Sequence, residues 1–473
     1  MKTLRTLFSL IFASAISIVF AQNPADRDDS FTVTGLGAFN AGGTGQQYSQ
    51  VTALPGGKVL ATGAFYGSSS PAYNRIFRLN NDGSFDDTFN SGEQGASGII
   101  AATAIQPDGK ILIGGGFPMY NGVTVNGIAR IHQDGSIDNT FDTGTGFSSI
   151  LPPPWVRSIV IQSDGKIVVG GGFTSFNGTS IAGVVRLNAD GSIDNSFDPG
   201  SGPNNIVQSV ALQADGKILA AGVFGSFNGI STGRIARLNT DGSLDNTFTT
   251  ATSGDILRML VQPDGKILTS GANFYRLESD GSLDPGFFLD NVGNNSFNGL
   301  ALQSDGKIIL TGFFSSYLSV SRNHIIRLNT DGTLDMSFDS EQGFATNPNH
   351  IALQEDGKII VFGGYKYKDV ESLITRIMGS ATTERISDEI SNFSDIQIYP
   401  NPAASDISIR MSGIQTKEDV NFSLLNLTGQ TLKKARLHSD VLQLNLEDLP
   451  CGVYLYKVQE GSNLIHTGKI IRN

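Results

Sequence analysis

An Asp-Gly-Lys tripeptide set between two apolar, β-branched runs returns six times along this chain, with its lysine at Lys110, Lys166, Lys217, Lys266, Lys307 and Lys358. A degenerate seventh copy, Gly56-Gly57-Lys58, precedes them. Self-similarity at a near-fixed period constrains a fold strongly, because each copy is one supersecondary unit that cannot bury its own faces and must stack on its neighbours. The unit is plainest at 207–222, where two β-rich runs flank Asp215-Gly216. That pattern predicts a hairpin in which both turn residues take the positive φ of a type I′ turn.

After the hairpin comes a loop, as at Phe176-Asn177-Gly178 and Phe227-Asn228-Gly229. A third strand with Arg-Leu-Asn or a near variant follows, then a second Asp-Gly turn and a closing Asp-x-x-Phe. Four short strands in about 50 residues is the period of a propeller blade. Unit five runs from Gly271 to Tyr275 without the Phe-Asn-Gly loop, so that loop is dispensable to the blade. Loops that vary on one face are where a binding surface is expected.

The third-strand arginine occurs seven times, at Arg78, Arg130, Arg186, Arg237, Arg276, Arg327 and Arg376. The closing motif follows only six of them, at Asp86/Phe89, Asp138/Phe141, Asp194/Phe197, Asp245/Phe248, Asp284/Phe287 and Asp335/Phe338. Its missing copy stands near the N-terminus as Asp28-Asp29-Ser30-Phe31. The expected fold is therefore all-β: a seven-bladed β-propeller closed by its own N-terminal segment, which removes open sheet edges, followed by a small C-terminal Ig-like β-sandwich. The sandwich is read from short alternating runs after residue 394, separated by turn formers such as Thr428-Gly429 and Pro450-Cys451-Gly452.

Lys2 and Arg5, an apolar stretch from Leu7 to Phe20 and small residues at the end predict a secretory signal over 1–21, cleaved between Ala21 and Gln22. The apolar run is shorter than a bilayer span, and no transmembrane segment is expected in the mature chain. The expected order is signal peptide 1–21, propeller 22–378, linker 379–394 and sorting module 395–473. With 33 basic and 44 acidic residues the net charge is −11, and without a basic cluster nucleic acid is not an expected partner. Cys451 is the only cysteine, so no intrachain disulfide forms.

The combined pattern of Gln106 to Leu112 with Gly-Gly-x-Phe, Asn-Gly, Arg-Leu-Asn-x-Asp-Gly-Ser and Asp-x-x-Phe resembles the bacterial delta-60 repeat family, which is similar to β-propellers. The resemblance implies an extracytoplasmic repeat domain and no general activity. The C-terminal module resembles the type A sorting domain of the Bacteroidetes type IX secretion system. Its matching residues are Tyr399-Pro400-Asn401-Pro402, Asn426 to Gln430 with Gly429, Leu449 to Tyr454 with Gly452, and Gly468-Lys469-Ile470-Ile471. That resemblance implies the type IX machinery as a partner, passage through the periplasm, and a secreted or outer-membrane surface location.

Catalysis finds little support in the residues. His132, His324, His350, His438 and His466 share no repeated position or metal-ligand spacing. No catalytic, cofactor or metal residues are assigned. Calcium stays open, because Asn-x-Asp-Gly-Ser-x-Asp segments resemble half of a calcium loop, although an Asp-stabilised turn accounts for them better. The seven arginines would form an anion-attracting ring if they faced the channel. The equal tally of arginines and closing aspartates favours pairing within each blade instead. Trp155, the single tryptophan, follows three prolines in a loop of unit three, as a loop anchor or a ligand contact. The expectation is a non-enzymatic binding or adhesion scaffold for an extracellular glycan or protein. The alternatives are a polysaccharide lyase or glycosidase, or a purely structural surface component. An enzyme would need residues unique to one or two blades converging on the channel, whereas the repeats show the same chemistry in every blade.

Overall fold

The computed structural model of the chain describes residues 24–33, 49–66, 74–149, 154–287 and 296–380, except 318, 342, 365 and 369, together with most of the strand residues within 396–472. The chain divides into two compact units, Met1–Thr382 and Thr383–Asn473. Ala21, Gln22, Pro400, Asn401, Pro402 and Gly429 lie outside the described residues.

Within the first compact unit each of the seven repeats carries one main three-stranded antiparallel sheet, in chain order, beside smaller sheets formed by the loops. Repeat three shows the pattern: an inner strand Trp155–Ile161, a middle strand Ile167–Gly172 and an outer strand Val184–Leu187. Ile167, Val168 and Val169 are fully buried because neighbouring sheets cover both faces of the middle strand, and such strands read as unbroken apolar runs. Each core cluster accordingly draws on adjacent repeats: Leu112, Ile128, Val156 and Val169 share one, and Phe31, Val51, Ile360 and Phe362 share another.

Two local expectations differ from the structure. In the Asp-Gly-Lys turn only the glycine has positive φ, +82° at Gly109. The turn is closed by hydrogen bonds from Gly109 N–H to Gln106 O at 2.9 Å and from Gln106 N–H to Lys110 O at 2.8 Å. This is a type I turn followed by a left-handed glycine, favoured over type I′ because Pro107 presets a negative φ and the Asp108 carboxylate accepts the Lys110 N–H at 3.0 Å. The fourth strand is also reduced to a single bridge per repeat, as at Leu187↔Ile193. The chain turns away at once because the Asp194 carboxylate takes the Ser196 N–H at 3.0 Å.

The N-terminal segment lies along the seventh repeat. Arg27 bridges Ile377, Asp28 N–H donates to Arg376 O at 2.9 Å, and Met378 N–H donates to Asp26 O at 2.8 Å. The Tyr367 hydroxyl donates to Ala25 O at 2.6 Å. The second compact unit has a three-stranded sheet, Ile396–Tyr399, Asp406–Met411 and Val441–Asn445, and a four-stranded one built from Thr431–Arg436, Val420–Leu425, Gly452–Glu460 and Asn463–Arg472. Ile407 and Ile409 of the first sheet pack with Phe422, Leu424 and Tyr456 of the second, the arrangement of a sandwich. Tyr454 is buried with its hydroxyl on Pro450 O at 2.5 Å, while Tyr399 and Gly452 are exposed and Lys469 pairs with Leu455 along the sheet.

Candidate functional site

The arginines come first, because their spacing made them candidates. Arg186 donates from Nε to Asp194 Oδ2 at 2.7 Å, from Nη2 to Ser196 Oγ at 3.2 Å and from Nη1 to Thr240 O of the next repeat at 2.7 Å. Its guanidinium carbon sits 4.7 Å from the centroid of the Phe197 ring. Lys166 reaches the same Asp194 oxygen at 2.9 Å. The carboxylate pairing recurs for Arg78 with Asp86, Arg130 with Asp138, Arg237 with Asp245, Arg276 with Asp284, Arg327 with Asp335 and Arg376 with Asp28, at 2.7 to 2.9 Å. The forward bond recurs as well. Successive arginines donate to the carbonyls of Gln133, Ala189, Thr240, Ser279, Thr330 and Gly379, and Arg376 of the last repeat donates to Asn81 O of the first. The seven arginines therefore staple each repeat to the next one.

Burial alone would raise the closing carboxyls, but hydrogen bonds from the lysine and from Ser or Thr, with the arginine charge, overturn it. Asp86, Asp138, Asp194, Asp245 and Asp335 are held well below the usual carboxylate range, and Asp28 is brought down to about 2. The Asp-Gly-Ser turns are likewise self-contained: Asp190 Oδ1 accepts both the N–H and the hydroxyl of Ser192, at 3.0 and 2.6 Å. Among the described residues no three His, Cys, Asp or Glu side chains group as metal ligands. The aromatic-Asn-Gly loops are two-residue hairpins whose Phe176, Phe227 and Tyr120 are fully buried. Asn228 Oδ1 accepts the Gly202 N–H at 2.9 Å, leaving tips such as Ile230 as the exposed part.

A different set of side chains converges where the inner strands meet. The register of the inner strand slips at one residue in repeats two to seven. Such a β-bulge re-aims a side chain out of the alternation. The bulged residues are Ala101, Arg157, Gln208, Leu257, Asn298 and Asn349, and all six line one cavity of about 220 Å³, with Arg258 and Asn347. A glycine opposite permits each of the first five bulges: a Cβ on Gly171 would overlap the Trp155 carbonyl oxygen, and Gly115, Gly222, Gly271 and Gly312 stand in the same relation to their own inner strands. This explains the Gly-Gly-x-Phe punctuation.

The electrostatics of the cavity are distinctive. Arg157 stacks on Trp155 with its guanidinium carbon 4.3 Å from the ring centroid, which makes that tryptophan the support of a cavity-lining charge. Arg258 is lowered to about 10 by desolvation and by the Arg157 charge. His350, adjacent to the bulge of repeat seven, is held down to about 3 by burial and by Arg258, and its Nδ1 accepts the Val51 N–H at 3.5 Å. Sequence reasoning missed this group because no residue type recurs there through the repeats: only Asn appears twice, at Asn298 and Asn349. The signal lies in the frame: counting back nine positions from each repeat lysine, Lys110, Lys166, Lys217, Lys266, Lys307 and Lys358, lands on Ala101, Arg157, Gln208, Leu257, Asn298 and Asn349. The repeats thus do carry blade-specific chemistry, at this one position and its neighbour.

Comparison with known proteins places these features in families. Six stretches, 54–89, 106–141, 162–197, 213–248, 262–287 and 303–338, match the family described as "Domain of unknown function (DUF5122) beta-propeller". Residues 397–473 match the "Secretion system C-terminal sorting domain". A curated relative, ulvan lyase NLR42 of Nonlabens ulvanivorans, is 21% identical over 224 residues, 43% of this chain and 41% of the relative, so the match spans about two fifths of that protein. Among solved structures, PorZ, an essential bacterial surface component of the type-IX secretion system of Porphyromonas gingivalis, is 13% identical with a TM-score of 0.42 over 90% of this chain and 59% of that one. The WD40 β-propeller domain of Doa1 is 13% identical with a TM-score of 0.47 over 77% of this chain and 98% of that one. No helix among the described residues is long and apolar enough to cross a membrane. The sorting domain marks the protein for handling by the type IX secretion system and for delivery to the cell surface or the extracellular space. The chain therefore carries DUF5122 β-propeller repeats followed by a type IX C-terminal sorting domain.

Proposed function

We propose that the protein is a secreted, closed seven-bladed propeller that binds an extracellular glycan or protein without transforming it. One observation carries this reading. Positions serving the staple repeat the same Arg–Asp pairing in every unit, while the bulged position of repeats two to seven holds five residue types in six copies and gathers its side chains in a single cavity. Divergence confined to one concave, polar place is the pattern of a ligand site on a scaffold. Closure of the ring is supported by the staple running on from Arg376 to Asn81.

The groups in the cavity favour binding over acid–base chemistry. None of its eight described lining residues is a carboxylate, and His350, which lies outside the lining, is a weak proton acceptor near neutral pH because it is held down to about 3 with Nδ1 engaged. The second reading, a polysaccharide lyase, draws on the ulvan lyase relative alone. Glycan and protein arrays probed with the full chain, with and without calcium, test the binding reading. Saturable capture of one class supports it, and the appearance of new reducing ends when ulvan or another polysaccharide is incubated with the chain replaces it with the second. Export is part of the proposal: mass spectrometry of the secreted chain is expected to find Gln22 at its N-terminus.

A further inference from the structure

Two arginines that take no part in the staple share the cavity lined by the bulged residues. The chain as a whole carries −11, and the seven staple arginines are each paired with an aspartate. Arg157 and Arg258 line one cavity of about 220 Å³ together, with no acidic residue among its described lining residues. Arg258 makes no ion pair among the described residues, and its buried Nε has no hydrogen-bond partner. The nearby histidine, His350, lies beside Arg258 in the neutral form. Two like charges in a confined, poorly solvated space repel, and a bound anion would relieve that repulsion while supplying the acceptors that guanidinium donors require.

We propose that this cavity is a binding site for a small oxyanion, a carboxylate or sulfate group, carried on a polyhydroxylated molecule such as an acidic sugar. The inference rests on the binding reading above and names the chemistry of its ligand. Arg157 is suited to oxyanion recognition because its guanidinium, a planar fork of donors, sits over the Trp155 ring with its carbon 4.3 Å from the centroid. Arg258 approaches from repeat five, so the anion is held from two sides. Gln208, Asn298, Asn347 and Asn349 supply amides that both donate and accept, the set that hydroxyl groups need. The volume falls below the roughly 300–1,000 Å³ usual for drug-sized ligands, so one sugar-sized acidic group fits better than an oligomer.

The test is isothermal titration of the full chain with glucuronate, galactose 6-sulfate, inorganic sulfate and neutral galactose at millimolar concentrations. Binding of the anions and not of galactose is expected, weakened by added salt. The R157Q and R258Q variants should each weaken it roughly tenfold or more, the scale of one lost charged hydrogen bond. Glucuronate alone binding identifies a carboxylate ligand, and the sulfate ester alone a sulfate ligand. N298D, which places a negative charge in the lining, should abolish anion binding while the urea midpoint read from Trp155 fluorescence is kept or raised. No heat with any anion on folded chain, equal binding of galactose, or unchanged affinity in both arginine variants overturns the site. Array capture that persists in R157Q and R258Q would leave the scaffold reading standing and remove this one. Polysaccharide turnover by a chain that still binds glucuronate here would do the reverse.

Discussion

Replacing Asp28 by alanine is the sharpest test of how the N-terminal segment is held on the seventh repeat. Asp28 is 4% exposed, and its carboxylate takes four bonds. These come from Arg376 Nε at 2.7 Å, Lys358 Nζ at 2.9 Å, and the N–H and hydroxyl of Ser30 at 3.0 and 2.6 Å. The D28A variant leaves Arg376, itself 2% exposed, with its charge uncompensated. Removing one partner of a buried pair costs about 3–5 kcal/mol, and Lys358, being more exposed, adds little to that. The assay is urea unfolding followed by the fluorescence of Trp155, the only tryptophan, which reports on the propeller and not on the sorting module. D194A provides the calibration, because Asp194 plays the same part wholly inside repeat three. The two variants should lose comparable stability although Asp28 is 348 residues from its arginine and Asp194 only eight. A D28A chain that unfolds within about 0.5 kcal/mol of the parent, the usual effect of a surface substitution, while D194A falls, would refute the docked N-terminal segment.

Three further outcomes are expected. Because the closing aspartates have carboxyl groups depressed in the fold, their stabilisation is fully present above the ordinary value of 3.8 and is lost as pH falls through the folded values; circular dichroism should show the propeller holding at pH 5 and failing as pH drops from about 4 toward 2, where Asp28 itself titrates. Gly171→Ala should disturb the inner-strand bulge of repeat three, since its Cβ would meet the Trp155 carbonyl, and should shift the emission of Trp155 and weaken ligand capture more than it lowers the urea midpoint. Tyr367→Phe should cost about 1 kcal/mol by losing the bond to Ala25 O, and should speed proteolytic nicking of the N-terminal segment without altering the cavity.

Much of this architecture was legible because it is encoded within short windows. Arg186 and Asp194 stand eight residues apart and meet directly, so a tally of arginines and aspartates already favoured pairing. The vacancy in the last repeat pointed to Asp28 and Phe31, and Arg376 lies over the Phe31 ring at 4.7 Å. The type I′ expectation failed because Asp-Gly suits two turn types, and the choice falls to Pro107 and to a side-chain bond that pairwise preference does not weigh. The four-strand expectation overcounted because an Asp-x-Ser or Asp-x-Thr turn spends the backbone donors a fourth strand would use.

By itself, then, the amino-acid order settled the unit, its period, the number of stapling arginines and the address at the C-terminus, because each is written in a short motif that can be counted along the chain. What only the tertiary structure decided is which side chains meet at the centre. Arg157 and Arg258 are about a hundred residues apart and share no motif. They are brought to one cavity by a backbone slip in the inner strands of repeats three and five and by the stacking of one sheet on the next; the glycine opposite marks where the strand slips but not which side chains the slip brings together.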